Sequence, residues 1–519
     1  MSPTRTTDAP TATAGHLSAR RRWAALAVLS TSLLVVVMDM TILNVALPDM
    51  ATALSPTAAQ QLWIVDIYSL ILAGLLVTMS TLGDWWGRKR MLLTGFAIFG
   101  GASLLILVAE SAPAVIAVRA LLGVGGAMIM PATLSMIRSL FTDPAERAKA
   151  LGIWAAVASL GAAVGPIVGG LLLEHFSWQA AFLLNVPWMA AAILAALFLL
   201  PEARNPNPGR WDAVATALSI VGMTALVWSI KRIAKEGPTD LLALAALTVG
   251  LALLVWFVLR CLRSDSPLLR VRLFAVPSFT AGTLAALFTM LAMGSALLLA
   301  AQWLQLVQGM SPLQAGVALL PLAVASVVFS PLAPVLAQRI GARTVLVGGL
   351  ASSGLGFAIL AVAPKPLSYP PVGIFLALLG AGMGALAIAS AIIMSGTPAE
   401  HAGSAAAIEE TSYELGAVLG VAVLGSAAAA LYRAELPVSD LAAAGLNTGQ
   451  VSVAQESLGG ALHVLNGLGP AGAAAAAQAQ EAFTNGLVLV GAIGAAIMLV
   501  SMVVVFALTP KELDVTKGH

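Results

Sequence analysis

The chain has 519 residues, of which 59% are hydrophobic and only 10% are charged. A soluble domain carries about 25% charged residues, so the composition excludes a soluble protein and predicts an all-α membrane protein with many spans. The net charge of +2 says little about partners, and no basic cluster with interleaved aromatic residues indicates a nucleic-acid partner. A single cysteine, Cys261, excludes an internal disulfide and a thiolate metal site. The five histidines are scattered, so we expect no metal site.

Apolar runs of about 20 residues, the length that crosses the hydrocarbon core of a bilayer, occur fourteen times. The first follows a polar tail that ends at Arg20–Arg22, and it is longer than the apolar core of a cleaved signal peptide. We therefore predict that it is retained as a span. The predicted spans are 23–47, 60–82, 91–109, 113–137, 148–172, 180–200, 212–231, 240–262, 278–301, 313–336, 343–363, 371–395, 404–430 and 484–508.

The basic residues divide unequally between the two sides of these spans. Twenty of the 26 Lys and Arg residues fall on the side of the termini, five fall on the opposite side, and Arg119 lies within a span. Cytoplasmic loops carry an excess of Lys and Arg. The distribution therefore predicts that both termini are cytoplasmic.

A weak internal repeat suggests how the spans are organised. "LGDWWGRKRML" (82–92) aligns with "LAQRIGARTVL" (336–346) and keeps a glycine, Gly87 or Gly341, in each copy. Both copies fall between the second and third spans of a six-span block, an arrangement common in secondary transporters. We predict a 6 + 2 + 6 arrangement. Its parts are a cytoplasmic tail 1–22, a six-helix bundle 23–200, two inserted helices with linkers 201–272, a second six-helix bundle 273–508 with an outer loop 431–483, and a cytoplasmic tail 509–519.

The outer loop is rich in Ala and Gly and includes "AGAAAAAQAQEAF" (471–483). Alanine has the highest helix propensity, so we expect one or two short interfacial helices or a hairpin. A flexible tether is an equally good interpretation of the same composition.

The first copy of the repeat contains residues that could gate a change between two conformational states. Asp84 ends the second span, Gly87 permits a tight turn, and Arg88 follows. An Asp beside an Arg or a helix N-terminus can lock two rigid halves in one state and release them in another. The second copy has Gln338 in place of Asp84, so the latch is expected in one half only. The alternative is a stop-transfer cluster that only fixes topology.

Span five contains Gly161, Gly165 and Gly169, spaced four residues apart, together with Pro166. Residues at this spacing share a helix face, and small residues there let two backbones approach closely. Proline removes one helical hydrogen bond. We predict a kinked and tightly packed helix, with generic packing glycines as the alternative.

Five acids lie inside the apolar runs: Asp39, Asp66, Glu409, Glu410 and Glu414. Carboxylates within spans are costly and mark proton or ion paths. Glu410 and Glu414 share one helix face, and Glu409 lies about 100° away. Burial and like-charge repulsion favour the protonated form, so the cluster should hold a proton and titrate as a coupled set. As an alternative, Glu409 and Glu410 cap the start of span thirteen.

Arg119 lies near the outer end of span four. Its guanidinium either pairs with a carboxylate inside the bundle or extends to the outer membrane–water interface. Trp63 and Tyr68 flank Asp66, and their rings could pack against a flat cation. Interfacial anchoring is an equally good interpretation of Trp63.

Several of these segments carry a family resemblance. "LGDWWGRKRMLL" resembles the loop signature of the major facilitator superfamily, although Ser80 stands where the family has a leading glycine. "GAAVGPIVGGLL" resembles the motif of its proton-driven exporters. "MDMTILNVALP", "QQLWIVDIYSL" and "SWQAAFLLNVP" are similar to its fourteen-span drug:proton antiporter branch. The resemblance implies the major facilitator fold and places Arg119 in the proton-relay region.

These features predict a proton-coupled multidrug antiporter that acts as a monomer in the bacterial inner membrane, without a cofactor, and exchanges hydrophobic cations for protons. The alternatives are an exporter of one natural product and a non-transporting receptor or scaffold; no enzyme motif is found. The candidate residues are Asp39, Asp66, Arg119, Glu409, Glu410 and Glu414 for proton coupling and cation recognition; Asp39, Asn44, Trp63, Asp66, Tyr68, Glu410 and Glu414 for substrate binding; and Asp84, Gly87, Arg88, Gly161, Gly165, Pro166 and Gly169 for gating.

Overall fold

The computed structural model describes residues 18–54, 58–204, 212–237, 239–264, 267–395, 397–398 and 402–511, and the regular elements in these ranges are all helices. The α-helices are α1 (Ala19–Leu54), α2 (Ala58–Trp86), α3 (Arg88–Leu105), α4 (Ala112–Leu140), α5 (Pro144–His175), α6 (Ala180–Leu183), α7 (Asn185–Leu199), α8 (Ala213–Glu236), α9 (Leu241–Arg263), α10 (Pro277–Gln302), α11 (Pro312–Ala318), α12 (Leu320–Ile340), α13 (Ala342–Ala361), α14 (Tyr369–Ser395), α15 (Ala402–Gly420), α16 (Ser426–Glu435), α17 (Val438–Ala443), α18 (Thr448–Glu456), α19 (Leu458–Asn466) and α20 (Ala473–Leu508). Two π turns, Trp303–Val307 and Val421–Gly425, follow α10 and α15.

Thirteen helical segments in the described part of the chain are long and apolar enough to cross a membrane. Each overlaps one predicted span. The fifth span has no counterpart among them, although α5 runs for 32 residues through that region. The prediction of an all-α protein with many spans is therefore confirmed. The number fourteen and the cytoplasmic placement of both termini stay predictions.

The two predicted six-span blocks pack in the same way. In the first bundle (α1–α7), α1 packs against α5 and α7, α2 against α4, and α3 against α4 and α7. In the second bundle (α10–α16 and α20), the equivalent pairs are α10 with α15 and α20, α12 with α14, and α13 with α14 and α20. Gly87 and Gly341, which the sequence repeat aligns, both have positive φ, 115° and 87°. The repeat therefore corresponds to two similarly built bundles.

The α8–α9 hairpin lies beside the first bundle, where α8 packs against α2 and α9 packs against α8. Asp212 and Asp240 cap α8 and α9 by accepting hydrogen bonds from free backbone N–H groups. Each Asp also forms an ion pair with an arginine of the other helix: Asp212 with Arg260 at 2.6 Å and Asp240 with Arg232 at 2.9 Å. The Arg232 guanidinium holds the pKa of the Asp240 carboxyl below its usual range.

Three predicted spans are not single α-helices. Span six comprises α6 and α7, and span ten comprises α11 and α12, which meet at Leu319. Pro321 lies in the first turn of α12, where it has no N–H to continue the preceding helix. Span thirteen comprises α15, the π turn and α16. Apolar composition alone could not reveal these breaks.

The outer loop is folded, so its interpretation as a flexible tether is wrong. The outer cap (residues 436–472) contains α17, α18 and α19, more helices than predicted, and the Ala-rich run belongs to α20, which begins at Ala473. Leu441, Ala454 and Leu465 form its buried core, against which Leu306 packs. Short helices are marginal alone and need this tertiary support.

Replacing Gly87 with alanine should destabilise the protein more than replacing Gly341 with alanine. Both substitutions force alanine into a positive-φ conformation that is essentially confined to glycine, which costs about 1–3 kcal/mol. A Cβ at Gly87 would also lie 2.6 Å from Glu202 Oε1, whereas a Cβ at Gly341 meets nothing within 4 Å. Thermal unfolding of both purified variants in detergent measures the difference. Equal losses would show that Glu202 moves aside without cost.

Candidate functional site

Asp39, in α1, lies in a buried polar network of the first bundle. Its Oδ2 accepts a hydrogen bond from Arg119 Nη1 at 2.7 Å, and its Oδ1 accepts one from Asn185 Nδ2 at 2.8 Å. Asn185 also donates to Ser103 Oγ at 3.2 Å. Arg119 Nε donates to the carbonyl of Ile64 at 3.1 Å. Asp39 and Arg119 are each 1% exposed. The network therefore neutralises both charges inside the bundle and joins α1, α2, α3, α4 and α7.

The ion pair decides between the two interpretations of Arg119. The pairing with a carboxylate is present, and the extension to the outer interface is wrong, because the buried guanidinium is held by Asp39. Arg119 Cζ also lies 4.7 Å from the centre of the Tyr68 ring. Tyr68 is fully buried and its ring faces this cation of the protein, and its role in substrate binding stays a prediction. Trp63 is 41% exposed, and its role stays a prediction.

Glu409, in α15, forms a second buried network, in the second bundle. One of its oxygens, Oε1, accepts hydrogen bonds from Ser390 Oγ of α14 and from Tyr413 OH one turn further along α15. Ser390 Oγ and Tyr413 OH lie 2.9 Å apart. The Tyr413 ring lies 6.4 Å from that of Trp154 on α5. The network thus reaches the first bundle through an aromatic contact.

Glu410 differs from the other acids because neither of its oxygens has a hydrogen-bond partner among the described residues. It is fully buried, and it interacts electrostatically with Glu409 and Glu414. An isolated ionised carboxylate in an apolar environment is costly, so the neutral form of Glu410 is favoured. Glu414 shares the helix face of Glu410, one turn further along α15.

The interpretation of Glu409 and Glu410 as caps of span thirteen is wrong. Helix α15 begins at Ala402, about two turns before them. The favourable interaction of acids with a helix N-terminus is confined to the first turn. Both side chains are fully buried in the bundle instead.

Three predicted residues have side chains that lie outside the described part of the structure: Asn44, Asp66 and Pro166. Their helices, α1, α2 and α5, are described. The proposed roles of these three residues in substrate binding, proton coupling and gating stay predictions, as does the kink in α5.

The glycines of α5 lie on one face, as predicted, and that face packs against α1. A Cβ at Gly161 would lie 2.7 Å from the carbonyl oxygen of Leu34, and one at Gly165 would lie 3.0 Å from that of Met38. Gly169 faces Ile42 one turn further on. In the second bundle, Gly416 and Gly420 of α15 abut α10 in the equivalent way. Close backbone packing therefore joins the helices of the first and fifth spans in each bundle, α1 with α5 and α10 with α15.

At the predicted cytoplasmic end, Asp84 Oδ1 pairs with Arg88 Nη2 at 2.9 Å across the Gly87 turn. Arg88 Nη1 also donates to the carbonyl of Ser135 on α4 at 3.2 Å. Arg138, further along α4, donates to the carbonyl of Thr397, which follows α14. This last contact joins the two bundles. An ion pair and an arginine–carbonyl contact therefore lie at the end where the gating hypothesis places a latch, and the gating role itself stays a prediction.

Sequence reasoning missed five residues of these networks: Ser103, Trp154, Asn185, Ser390 and Tyr413. Two of them could have been recognised from the sequence. Asn185 lies in the segment "SWQAAFLLNVP", and Tyr413 follows Glu409 by four residues, the spacing of one helix face. Among the described residues, no group of three or more His, Cys, Asp or Glu could hold a metal ion.

Comparisons with known proteins agree with this architecture. The Major Facilitator Superfamily model matches residues 29–421. The chain is 41% identical over 488 residues to the multidrug efflux pump LfrA of Mycolicibacterium smegmatis, covering 93% of this chain and 96% of LfrA. It is 37% identical over 465 residues to the methyl viologen resistance protein SmvA of Salmonella typhimurium, covering 89% of this chain and 93% of SmvA.

A solved structure shares the fold. A bacterial homologue of the human lysosomal transporter Spinster, in an inward-facing conformation, superposes with a TM-score of 0.57 at 17% identity. The match covers 96% of this chain and 100% of that structure. The fold of that structure is consistent with the family model and with the two relatives. The chain belongs to the major facilitator superfamily, in the branch that contains the multidrug efflux pump LfrA.

Proposed function

We propose that the chain is a proton-coupled exporter of hydrophobic, mainly cationic compounds, such as quaternary ammonium dyes and biocides, and that it works as a monomer in the bacterial inner membrane. The names of its relatives support drug export. Methyl viologen, for which one relative is named, is itself a quaternary dication. The driving force is the proton gradient, so no cofactor is involved.

The observation that carries the proposal is the carboxyl of Glu410, which has no hydrogen-bond partner among the described residues. Asp39 has its counter-charge in Arg119, and Glu409 has two hydroxyl partners. In the described part of the chain Glu410 has neither, although it is fully buried. A buried carboxylate needs a proton or a cation to compensate its charge. Glu410, with Glu414 one turn away, is thus suited to exchange one for the other.

In the proposed cycle, the two bundles rock about the site between them. When the site faces the cytoplasm, a hydrophobic cation binds and neutralises the acid pair of α15. When the site faces outward, a proton replaces the cation. Only a neutralised site allows the transition, because an uncompensated buried charge is costly. Exchange of one proton for one monovalent cation moves no net charge across the membrane, so the pH difference supplies the free energy of export, about 1.4 kcal/mol for each pH unit.

Contacts between and within the bundles provide the gate in this proposal. The Arg138–Thr397 contact closes the predicted cytoplasmic end. The Asp84–Arg88 pair holds the turn before α3 next to α4. The close α1–α5 packing through Gly161 and Gly165 lets the first bundle move as a rigid unit.

Ethidium export tests the proposed function. Cells that express the chain should accumulate less ethidium than cells without it, and a proton-gradient uncoupler should abolish the difference. In proteoliposomes, transport of ethidium in one direction across the membrane should move protons in the opposite direction. Uphill export at equal pH, zero voltage and no other ion gradient would contradict proton coupling. Export of one neutral compound without any dye would support the single-product alternative.

A further inference from the structure

We infer that the chain holds an anionic phospholipid in a lateral groove between α1 and α7. The groove has a volume of about 210 Å³ and is lined mainly by small side chains. Ala27, Thr31 and Val35 form its α1 wall, and Trp188, Ala191 and Ala195 form its α7 wall. It lies apart from the acids of α15, and the inference does not depend on what the protein transports.

The walls of the groove present an apolar surface. The hydroxyl of Thr31 donates to the carbonyl of Ala27 at 2.7 Å, and that of Ser32 donates to the carbonyl of Val28 at 2.6 Å. Both polar groups are therefore satisfied within α1. From Ala27 to Val35 the groove extends about 12 Å along the helix axis. An acyl chain, which needs no hydrogen bond, fits such a surface.

The groove opens onto a side of the molecule that the bilayer covers. Next to it on α7, Leu194 is 60% and Phe198 is 74% exposed. Large exposed apolar side chains on a spanning helix face lipid tails. The groove is thus accessible to lipid from the membrane leaflet on the side where α1 begins, which the charge bias places at the cytoplasm.

Two arginines extend the groove toward the membrane surface. Arg20 and Arg21 lie seven residues before Ala27 and Val28, which places them on the same face of α1, about 10 Å nearer the helix start. Arg21 donates to the last carbonyls of α7, those of Phe198 and Leu199. Arg20 is exposed and has no described ion pair. A basic pair at headgroup level below an apolar groove complements an anionic lipid.

The same charges argue against a different occupant. A hydrophobic cation of the type proposed as substrate would also fit an apolar groove, but Arg20 and Arg21 would repel it at the groove's surface end. A zwitterionic lipid would gain less from the two arginines than an anionic one. The charge pattern therefore selects a phospholipid with a net negative headgroup.

Native mass spectrometry of the full-length, delipidated protein tests the inference. Dioleoyl phosphatidylglycerol should give a retained adduct, and dioleoyl phosphatidylcholine should give a weaker one. Arg20→Gln should weaken phosphatidylglycerol binding about fivefold. Ala191→Phe, which fills the groove, should weaken it at least about tenfold. The matched controls on the exposed side of α9, Arg263→Gln and Ala245→Phe, should bind as the unaltered protein does.

Several results would overturn the inference. They are equal binding of both lipids, binding that is unaffected by Arg20→Gln and Ala191→Phe, displacement by inorganic phosphate alone, and displacement by tetraphenylphosphonium. Phosphate displacement would indicate an ionic contact without the groove, and tetraphenylphosphonium displacement would indicate a substrate path. Thermal unfolding verifies that each variant is folded. If Ala191→Phe is not, Ala27→Phe fills the groove from the α1 wall. Failure of these tests leaves proton-coupled export untouched, because they measure no transport.

Discussion

Ethidium export should fall about 10- to 100-fold when Glu410 is replaced with glutamine, while the protein stays folded. A close pair of opposite charges in a binding site contributes about 1.5 kcal/mol or more, so removing the carboxylate charge should weaken cation binding by at least about tenfold. The amide is nearly isosteric with the carboxyl. Because neither oxygen of Glu410 has a described partner, the substitution breaks no described hydrogen bond of the folded protein. Ethidium flux and ethidium-driven proton release in proteoliposomes measure the loss.

Two controls make the Glu410 result specific. Glu481→Gln, at an exposed position of α20, should export ethidium at the unaltered rate. Glu409→Gln removes an acid that already has the Ser390 and Tyr413 hydroxyls as partners, so its effect on stability should be larger than that of Glu410→Gln. Normal export by Glu410→Gln, with an unchanged dependence on the proton gradient, would exclude Glu410 from the coupling mechanism.

Replacing Asp39 alone with asparagine should destabilise the protein by about 3–5 kcal/mol. The substitution leaves Arg119 charged, buried and without its counter-ion, and breaking one side of a buried ion pair costs about this much. The double variant Asp39→Asn/Arg119→Met removes both charges and should recover most of the stability. Thermal unfolding in detergent of the two single variants and the double variant measures the coupling between the residues.

A partly exposed pair provides the control for Asp39. Arg22 and Glu146 lie 2.8 Å apart with side chains that are 23% and 37% exposed. Glu146→Gln should therefore cost less than about 1 kcal/mol. The loss of stability in the double variant could instead equal the sum of the losses in the two single variants. Asp39 and Arg119 would then not stabilise each other, and mutual neutralisation would not explain their burial.

Family and architecture could be predicted from the sequence because the signals are local. Apolar runs of membrane length placed the helices, and thirteen of the predicted spans have counterparts among the described residues. The four-residue spacing of Gly161, Gly165 and Gly169 predicted a shared face, and that face packs against α1. Asp39 and Arg119 were recognised as site candidates because a charge inside an apolar run is conspicuous.

Partners across long sequence distances needed the tertiary structure. Asp39 and Asn185 are 146 residues apart, and no local pattern connects them. Residue spacing also could not show that Glu409 has hydroxyl partners whereas Glu410 has none in the described part of the structure. The outer cap escaped prediction for a related reason, since its short helices depend on a shared core and not on propensity alone.

The sequence by itself determined the class of protein, the positions of thirteen spans and the burial of Asp39, Glu409, Glu410 and Glu414, because transfer into a bilayer depends on each residue's own polarity. Only the tertiary structure decided which of those acids is neutralised and which lacks a described partner. The state of a buried carboxyl depends on the groups within a few ångströms of it, and folding brings those groups together from distant parts of the chain.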